Sequence, residues 1–454
     1  MFKKLSSSYW FRNGSFAIMS RFSNVFFGFI NFWFLIRILD WDTFGIWTLY
    51  ISVITSAEMI KNGFIIGPMV RAAVIADKSE YTKILSASLL LNVIVSVAQI
   101  ILVLGVTLFM PEFRQSPETG SLIFFYIFTT FVLISVNHCN GVQQANYDFK
   151  ADFFSNFTRQ STFFVFVMCG YFFDWEFSLW QLALLNACTI IVTAGMSYFT
   201  VRKFLSFSWD FSKRWIKELA QYGKYTFGTN ISTTILRNVD TWMLGFLLGP
   251  KAVTLYNPAM RVANIVEVPT VSLSLVFFPK LLARYGSEGI SAAREMYEKS
   301  VGALFAFMFP IVLVCVIFAK PIIIFIAGPE FVETVFILRV VMLTGLILPF
   351  NRQVGITLDA IGKAKTNFYI VLRNAAFNIG ATYFFISYTN SVVGAAYGLL
   401  TTFTLSFIFN QIYIRYLLKV NFFNIFRNAF SFQKQFITFA WQTVTGKYKA
   451  EAGS

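Results

Sequence analysis

Twelve long apolar runs follow one another along this chain of 454 residues, and they limit its fold more than any other feature. A helix needs about 20 mainly apolar residues to cross a hydrocarbon core of roughly 30 Å. Lipid offers no partner for backbone N–H and C=O groups, so each span must satisfy its own as a helix. The runs lie at 14–38, 43–67, 84–109, 120–142, 156–173, 177–200, 222–249, 252–278, 300–326, 334–358, 367–388 and 393–416. They predict an all-α integral membrane protein with twelve transmembrane helices.

Composition excludes an ordinary soluble protein. Hydrophobic residues make up 57% of the chain and charged residues only 13%, whereas soluble domains carry about 25% charged residues. The four cysteines, Cys139, Cys169, Cys188 and Cys315, fall inside the predicted spans without metal-ligand spacing. We therefore expect them to be small packing residues, and we expect no metal site.

Basic residues are strongly biased to one side of the predicted membrane. With the N-terminus inside, 25 Lys and Arg residues fall in cytoplasmic connections, and only Arg114 and Lys251 fall in outside loops. The positive-inside rule then predicts cytoplasmic termini. The net charge of +15 reflects this topology and anionic inner-leaflet lipid, so we expect no nucleic-acid partner. The first run is too long for a signal-peptide core, and we expect it to be retained.

Short similarities suggest that a six-span unit is duplicated. LDWDTFGIW (39–47) matches LGPKAVTLY (248–256) at an offset of 209, which also places Glu58 on Glu267. NHCNGV (137–142) matches NRQVGI (351–356) at an offset of 214. Because six is even, both copies enter the membrane in the same direction, related by a pseudo-two-fold axis along the membrane normal. This arrangement predicts two six-helix lobes with a cavity between them.

The predicted domain division follows from this duplication. It comprises an N-lobe at 1–200, a cytoplasmic amphipathic connector at 201–221, a C-lobe at 222–416 and a basic amphipathic cytoplasmic tail at 417–449, with 450–454 expected to be a cloning remnant. The basic stretches 202–224 and 280–300 are interpreted as amphipathic surface helices. Gly63, Gly67, Pro68, Pro258 and Pro269 are expected to interrupt the second and eighth spans, as in transporter helices that bend beside a substrate path.

The seventh run contains STTILRNVDTWMLGF, in which Arg237 and Asp240 lie inside an otherwise apolar segment. A charged side chain at mid-bilayer costs about 2.5–3.5 kcal/mol on insertion scales, so such residues face protein or water. Three residues apart on a helix, these two share a face and can partly neutralise each other. The charged residues that we take as buried within the runs are Arg21, Glu58, Lys61, Arg237, Asp240, Arg261, Glu267, Arg339 and Arg352.

These charges are staggered along the predicted membrane normal. At about 1.5 Å per residue, the inner third holds Arg21, Glu58, Glu267 and Arg352, the middle holds Arg237, Asp240 and Arg261, and the outer end holds Arg339. Lys61 and Arg339 lie near span ends and can extend toward the surface. Guanidinium groups bind phosphate and carboxylate through a rigid fork. Our hypothesis is an anion path, substrate-binding for pyrophosphate or acidic sugars, formed by Arg21, Arg237, Arg261, Arg339 and Arg352.

The three carboxylates in this set have two interpretations. Glu58, Asp240 and Glu267 could titrate if transport is coupled to H⁺ or Na⁺, or they could only partner nearby cations. We expect no catalytic residue and no cofactor. The stretch GITLDAIGKAK lacks phosphate-loop spacing, and His138 is the single histidine of the chain, which argues against a Ser/His/Asp hydrolase. An enzyme is therefore the weaker class.

The chain resembles the Wzx-type polysaccharide flippases of the multidrug/oligosaccharidyl-lipid/polysaccharide exporter (MOP) superfamily. The similarity extends to about Leu418 and is carried by ILRNVDTWMLGFLLGPKAVTLYNPAMRVANIVEVPTVSLSLVFFPKL, by GIWTLY in the second span and by LDAIGKAKTNF after the tenth. It implies a flippase that moves a polyprenyl-pyrophosphate-linked oligosaccharide, for O-antigen, capsule or exopolysaccharide, across a bacterial inner membrane by alternating access. Its implied partners are the lipid-linked oligosaccharide and polysaccharide polymerase or assembly proteins.

Three alternatives stay open at this point. A cation-coupled drug or small-molecule antiporter of the same superfamily would need carboxylates to dominate over cations in its cavity. A peptidoglycan-precursor flippase usually carries two additional spans. From another class, the protein could be a non-transporting scaffold of a polysaccharide-assembly complex.

Overall fold

A computed structural model describes residues 9–109, 119–146, 148–209 and 211–444. Within these ranges the chain forms fourteen α-helices and one short 3-10 helix, Pro329–Phe331. The helices, numbered α1 to α14, are Tyr9–Ile38, Trp41–Ile75, Lys78–Phe109, Thr119–Ala145, Phe149–Phe172, Leu179–Val201, Lys213–Leu248, Pro250–Glu288, Ile290–Ile317, Ala319–Ile326, Thr334–Ala360, Ala364–Thr389, Val393–Leu418 and Phe422–Val444. The expected remnant at 450–454 lies outside the described residues.

Each of the twelve predicted spans coincides with helix, and the predicted fold class is confirmed. By length and composition alone, seven described helices are apolar enough to cross a membrane: 41–74, 79–105, 120–145, 179–201, 290–317, 334–360 and 393–418. The other spans carry more polar and charged residues, α7 and α8 above all. Such residues are tolerated in a membrane helix where protein or water, rather than lipid, surrounds them.

Three local expectations are wrong. The ninth span, predicted as continuous over 300–326, ends at Ile317, and the short α10 begins at Ala319. The second and eighth spans run without interruption as α2 and α8, with Pro68 inside α2, because membrane helices re-satisfy the backbone group that a proline frees. Residues 202–209 and 211–212 are non-helical, and the basic stretches at 213–224 and 280–300 belong to α7, α8 and α9 rather than forming separate surface helices.

Glycine occupies two of the short connections between consecutive helices. Gly249, between α7 and α8, has φ +87°, and Gly289, between α8 and α9, has φ +70°. A residue with a side chain pays a steric penalty in this left-handed region, whereas glycine does not. Glycine therefore allows one helix to end and the next to begin within a single residue.

The chain divides into two compact units, Met1–Thr254 and Leu255–Ser454. The first unit includes α7, because α7 packs along α2. The boundary between the two units thus falls in the first turns of α8.

Aromatic rings form much of the contact between α1 and α5 in the first unit. Ring centroids of Phe27 and Phe157 lie 5.4 Å apart, and those of Phe34 and Tyr171 lie 5.1 Å apart. Tilted and edge-on pairs at such distances add to the stability gained by burial. Part of the chain's high aromatic content therefore serves helix packing within the membrane.

Small residues bring α2 and α7 close together. A side chain added at Gly223 would meet the carbonyl oxygen of Phe64, and one added at Gly245 would meet Leu49. Without a hydrophobic drive between helices in lipid, close backbone approach at small residues is a principal source of helix association. Trp242 on α7 also donates its indole N–H to the Ser52 hydroxyl on α2, at 2.8 Å.

The second unit has its buried core at the ends of α9, α11 and α13 that are predicted to be cytoplasmic. Tyr297 is fully buried there beside Phe350, Ile414 and Ile425. The Gln411 side-chain amide donates to the Tyr297 hydroxyl at 3.1 Å, so the buried phenol has a hydrogen-bond partner. This core fixes the positions of the three helices that carry the polar groups described below.

The last described helix, α14, runs parallel to α9. The Asn421 backbone N–H and the Asn424 side chain donate to the Glu298 carboxylate at 2.8 and 2.9 Å. Further along, the Gln433 amide donates to the Ala306 carbonyl at 3.1 Å. Over this stretch both helices advance in the same direction, so the tail is held against α9 from its first turn onward.

The close contact at Gly45 yields a stability prediction. A side chain at Gly45 in α2 would meet the backbone of Pro250, whereas one at Gly67 in the same helix would meet nothing within 4 Å. Gly45→Ala should lower the thermal unfolding midpoint of the detergent-purified protein, since overpacking costs about 1–3 kcal/mol. Gly67→Ala should leave the midpoint unchanged or raise it, because alanine favours helix by about 1 kcal/mol. Equal midpoints for the two variants would contradict this packing.

Candidate functional site

In the first unit, polar side chains from three helices converge on Glu58. Its carboxylate accepts from Lys61 Nζ at 2.7 Å, from the Asn137 amide of α4 and from Gln99 Nε2 of α3 at 3.4 Å. Lys61 also donates to the Ser96 hydroxyl at 3.3 Å. These residues are called the Glu58 cluster. The contacts with Asn137, Gln99 and Ser96 tie α2 to α3 and α4.

The Glu58 cluster is internally neutralised. The side chain of Lys61 is 1% exposed and that of Glu58 is 12% exposed, so the expectation that Lys61 extends to the surface is wrong. Glu58 lies one helical turn away and offers a closer partner than solvent. Arg159 on α5 also interacts electrostatically with Glu58. The cluster suits a structural role, since its carboxylate already has hydrogen-bond donors on both oxygens.

A cavity of about 520 Å³ opens beside this cluster within the first unit. Its wall is built from α2, α3, α4 and α7, and includes Tyr50, Lys61, Gln99, Tyr126 and Trp242. Nearly all of its lining surface is apolar, and Lys61, its one lining cation, is paired with Glu58. The cavity therefore suits apolar groups and not an anion.

In the second unit, Arg352 of α11 reaches Glu267 of α8. Arg352 Nη1 donates to Glu267 Oε1 at 2.7 Å, and the two side chains are 27% and 24% exposed. An exposed fraction of this size leaves the pair accessible to a ligand or to water. Unlike the Glu58 cluster, it is an ion pair that another anion can reach.

The other predicted path residues lie in different local environments. Arg261 on α8 is half-buried and donates from Nε to Asn257 Oδ1 at 3.3 Å. Asp240 is 2% exposed, whereas Arg237, three residues before it, is exposed. Arg339 is also exposed, with Nε donating to the Val316 carbonyl at 3.3 Å. The side chain of Arg21 lies outside the described residues.

Two arginines inside predicted spans are absent from the charged residues that we selected from the sequence. Arg159 lies within the predicted span 156–173 and Arg373 within 367–388. A search for every charged residue inside an apolar run would therefore have identified both. Arg373 on α12 donates to amide oxygens of Asn374 and Asn410. In the part of the chain that is described, no group of three His, Cys, Asp or Glu side chains comes together as metal ligands.

Long apolar helices in both units, several with charged side chains inside the predicted spans, indicate a multi-pass membrane protein. Solved structures share this fold. An inward-facing multidrug resistance MATE family transporter of the MOP superfamily matches with a TM-score of 0.73 and 15% identity, covering 87% of this chain and 94% of that one. The lipid II flippase MurJ, in an inward closed conformation, matches with 0.72 and 16% identity, covering 94% and 92%. A MOP superfamily transporter from Pyrococcus furiosus matches with 0.60 and 16% identity, covering 89% and 94%.

The family is shown by the sequence itself. A family model described as polysaccharide biosynthesis protein matches residues 34–336, more than half of the chain, and the protein belongs to this family. An uncharacterised membrane protein of Methanocaldococcus jannaschii is 25% identical over 256 residues, 53% of this chain and 48% of that protein. The chain thus spans about half the length of this curated relative. The resemblance to the polysaccharide exporters is thus confirmed at two levels: the chain belongs to a polysaccharide biosynthesis family, and it shares its fold with solved transporters of the MOP superfamily.

The Glu58 cluster predicts a strong stability coupling. Removing one partner of a buried ion pair costs about 3–5 kcal/mol, because the other charge is left uncompensated. Lys61→Met and Glu58→Gln should each lower the thermal unfolding midpoint strongly, and the double variant should lose less than the sum of both. The control is Lys83→Met, which breaks the Lys83–Glu80 pair, 3.0 Å apart with side chains 37% and 32% exposed. That exposed pair should contribute at most about 1 kcal/mol, so equal losses in Lys61→Met and Lys83→Met would contradict the prediction.

Proposed function

We propose that the protein moves a polyprenyl-pyrophosphate-linked oligosaccharide from the cytoplasmic to the periplasmic leaflet of a bacterial inner membrane, by alternating access through a cationic central cavity. Family membership in polysaccharide biosynthesis and the transporter fold support the general class. In this proposal both termini are cytoplasmic, as the distribution of basic residues predicts.

The observation that carries the choice of an anionic substrate is the charge imbalance within the last five spans. Apart from Lys320 and Arg415, which are exposed near helix ends, they contain four cationic side chains and a single carboxylate, Glu267. The four cations are Arg261, Arg339, Arg352 and Arg373. Pairing inside the protein would need carboxylates in similar number, because each unpaired charge in the membrane is costly. A transported pyrophosphate or acidic sugar would supply the missing negative charge.

Arg352 and Glu267 suggest how the substrate engages the protein. Their contact of 2.7 Å is a partly exposed ion pair, and a pyrophosphate oxygen can take the place of the Glu267 carboxylate on the guanidinium fork. Glu267, once released, would bind H⁺ or Na⁺, which links the anion to a coupling ion. In the same scheme Arg21, Arg237, Arg261 and Arg339 offer successive anion contacts.

The remaining carboxylates have different roles in this proposal. Asp240 is a second candidate for ion coupling, since it is deeply buried within α7. Glu58 is a weaker candidate, because Lys61 and two side-chain amides already hold it. A polysaccharide polymerase or assembly protein would receive the product, which is an O-antigen, capsule or exopolysaccharide precursor.

A complementation experiment tests this function. In cells that lack the chromosomal gene, wild-type protein should restore the surface polysaccharide. Arg261→Ala and Arg352→Ala should abolish it while lipid-linked oligosaccharide accumulates on the inner leaflet, because the anionic head loses its contacts. Arg352→Lys should retain part of the activity, since the charge is kept and only the bidentate fork is lost.

The control is Lys320→Gln, which removes an exposed cation on α10 and should leave transport unchanged. Membrane abundance of each variant is measured in parallel, so that loss of function is not loss of protein. Loss of polysaccharide without accumulation of the lipid-linked precursor would favour the scaffold over the flippase. Wild-type transport by both alanine variants would reject the anion path.

A further inference from the structure

Arg373 lies deep within a membrane span of the second unit. It comes nine residues after the first residue of α12, Asn351 lies nine residues before the last residue of α11, and Asn410 lies eight before the last residue of α13. At about 1.5 Å per residue, the three residues lie at one depth, roughly 12–14 Å from the helix ends that are predicted to be cytoplasmic. They form a polar layer across three helices.

A relay of amides orients the Arg373 side chain. Asn351 Nδ2 donates to the Phe403 carbonyl at 3.1 Å, and Asn410 Nδ2 donates to Asn351 Oδ1 at 3.0 Å. Arg373 Nη2 completes the relay by donating to Asn410 Oδ1 at 2.7 Å. One end is a backbone carbonyl that only accepts and the other is a guanidinium that only donates, so the orientation of both amides is determined.

Further contacts hold the plane of the guanidinium. Asn374 Oδ1 accepts from Arg373 Nε at 3.3 Å and from Nη2 at 3.0 Å. The guanidinium carbon lies 5.3 Å from the ring centroid of Phe409 and 5.7 Å from that of Phe377, within the range of cation–π attraction. Nη1 donates to no group in the ranges that the structure describes, so its two N–H groups are oriented and available.

The partners of Arg373 accept its hydrogen bonds but do not neutralise its charge. All of its hydrogen-bond acceptors are neutral amide oxygens, and across the described residues it makes no ion pair with a carboxylate. Arg352, the neighbour of Asn351, has Glu267 as a counter-charge. A glutamine at position 373 could satisfy an amide relay without the cost of a charge in the membrane. The retained charge therefore points to an anion that comes from outside the protein.

We propose that Arg373 binds a phosphate group carried by a lipid, at a second anion site that is separate from the Arg352–Glu267 pair. Nη1 offers two charge-assisted hydrogen bonds to phosphate oxygens, while the amide relay and the two phenylalanine rings hold the guanidinium in place. The site deepens the proposed function, and the choice of an isoprenyl pyrophosphate as the principal probe rests on that function. A membrane phospholipid has the same phosphate chemistry and is the second source to test.

Binding is tested on the full chain in a neutral detergent by thermal unfolding. The probes are farnesyl pyrophosphate, phosphatidylglycerol, inorganic pyrophosphate and farnesol, which has the same chain as the first probe but no charge. Farnesyl pyrophosphate should raise the unfolding midpoint of the wild type, and farnesol should not. In Arg373→Gln the apparent Kd for farnesyl pyrophosphate should rise about tenfold or more, the usual effect of losing a charged hydrogen-bond donor. Arg373→Lys should bind with intermediate affinity.

A second variant covers the case in which Arg373→Gln does not fold. Asn410→Asp places a carboxylate at the acceptor 2.7 Å from Nη2, which supplies an internal counter-charge. It should weaken farnesyl pyrophosphate binding as much as Arg373→Gln does, and it also removes the donor to Asn351 Oδ1, so the unfolding midpoint without ligand is measured alongside. The matched control is Arg415→Gln, which removes an exposed arginine from the last turn of α13 and should bind like the wild type.

The outcomes separate the possible sources of the anion. Stabilisation that depends on Arg373 and comes from both phosphate lipids supports a general lipid-phosphate site, and stabilisation by farnesyl pyrophosphate alone supports one specific to the isoprenyl substrate. The proposal is overturned if Arg373→Gln or Asn410→Asp binds like the wild type, if farnesol stabilises equally, or if only inorganic pyrophosphate does. Binding is measured without transport. A protein that binds the probe at Arg373 but fails complementation would refute the proposed function and keep this site.

Discussion

A charged side chain inside a membrane span must find a partner of opposite charge, a polar cavity or a ligand, because lipid provides none of the solvation that water does. The protein meets this requirement in three ways. Lys61 and Glu58 neutralise each other in a buried cluster. Arg352 and Glu267 form a pair that stays partly exposed. Arg373 is held by amide oxygens and two phenylalanine rings, without a carboxylate partner among the described residues. The degree of neutralisation by carboxylates decreases from the first to the third.

The two halves use equivalent helices for different purposes. Glu58 and Glu267 occupy matching positions in the sequence repeat, and each contacts the helix that carries the matched segments NHCNGV and NRQVGI. In the first half the contact is the neutral amide of Asn137, and Lys61 supplies the counter-charge. In the second half Arg352 itself supplies it, from the position that aligns with His138. A duplicated framework thus carries a closed cluster in one unit and an accessible ion pair in the other.

The sequence located the spans well because each membrane helix satisfies its own backbone, so an apolar run of sufficient length is enough to predict it. Its errors concern properties set by contacts between helices. The ninth span breaks at Phe318 and α2 continues through Pro68, neither of which follows from hydropathy. The burial of Asp240 beside an exposed Arg237 depends on how packing rotates α7. Arg373 could be found as a charge in an apolar run, but its partner Asn410 lies 37 residues further along the chain and does not follow from that pattern.

The central claim is that the membrane-buried guanidinium groups exist to carry an anionic head group. The most direct measurement is lipid translocation in proteoliposomes that contain the purified protein, with two substrates that share the same polyprenyl chain and oligosaccharide. One substrate has a pyrophosphate linkage and the other an uncharged linkage, and a membrane-impermeant lectin reports arrival in the outer leaflet. The pyrophosphate-linked substrate should cross rapidly and only with protein present, and the uncharged one should cross no faster than in empty liposomes. Equal protein-dependent rates for both substrates would contradict the claim.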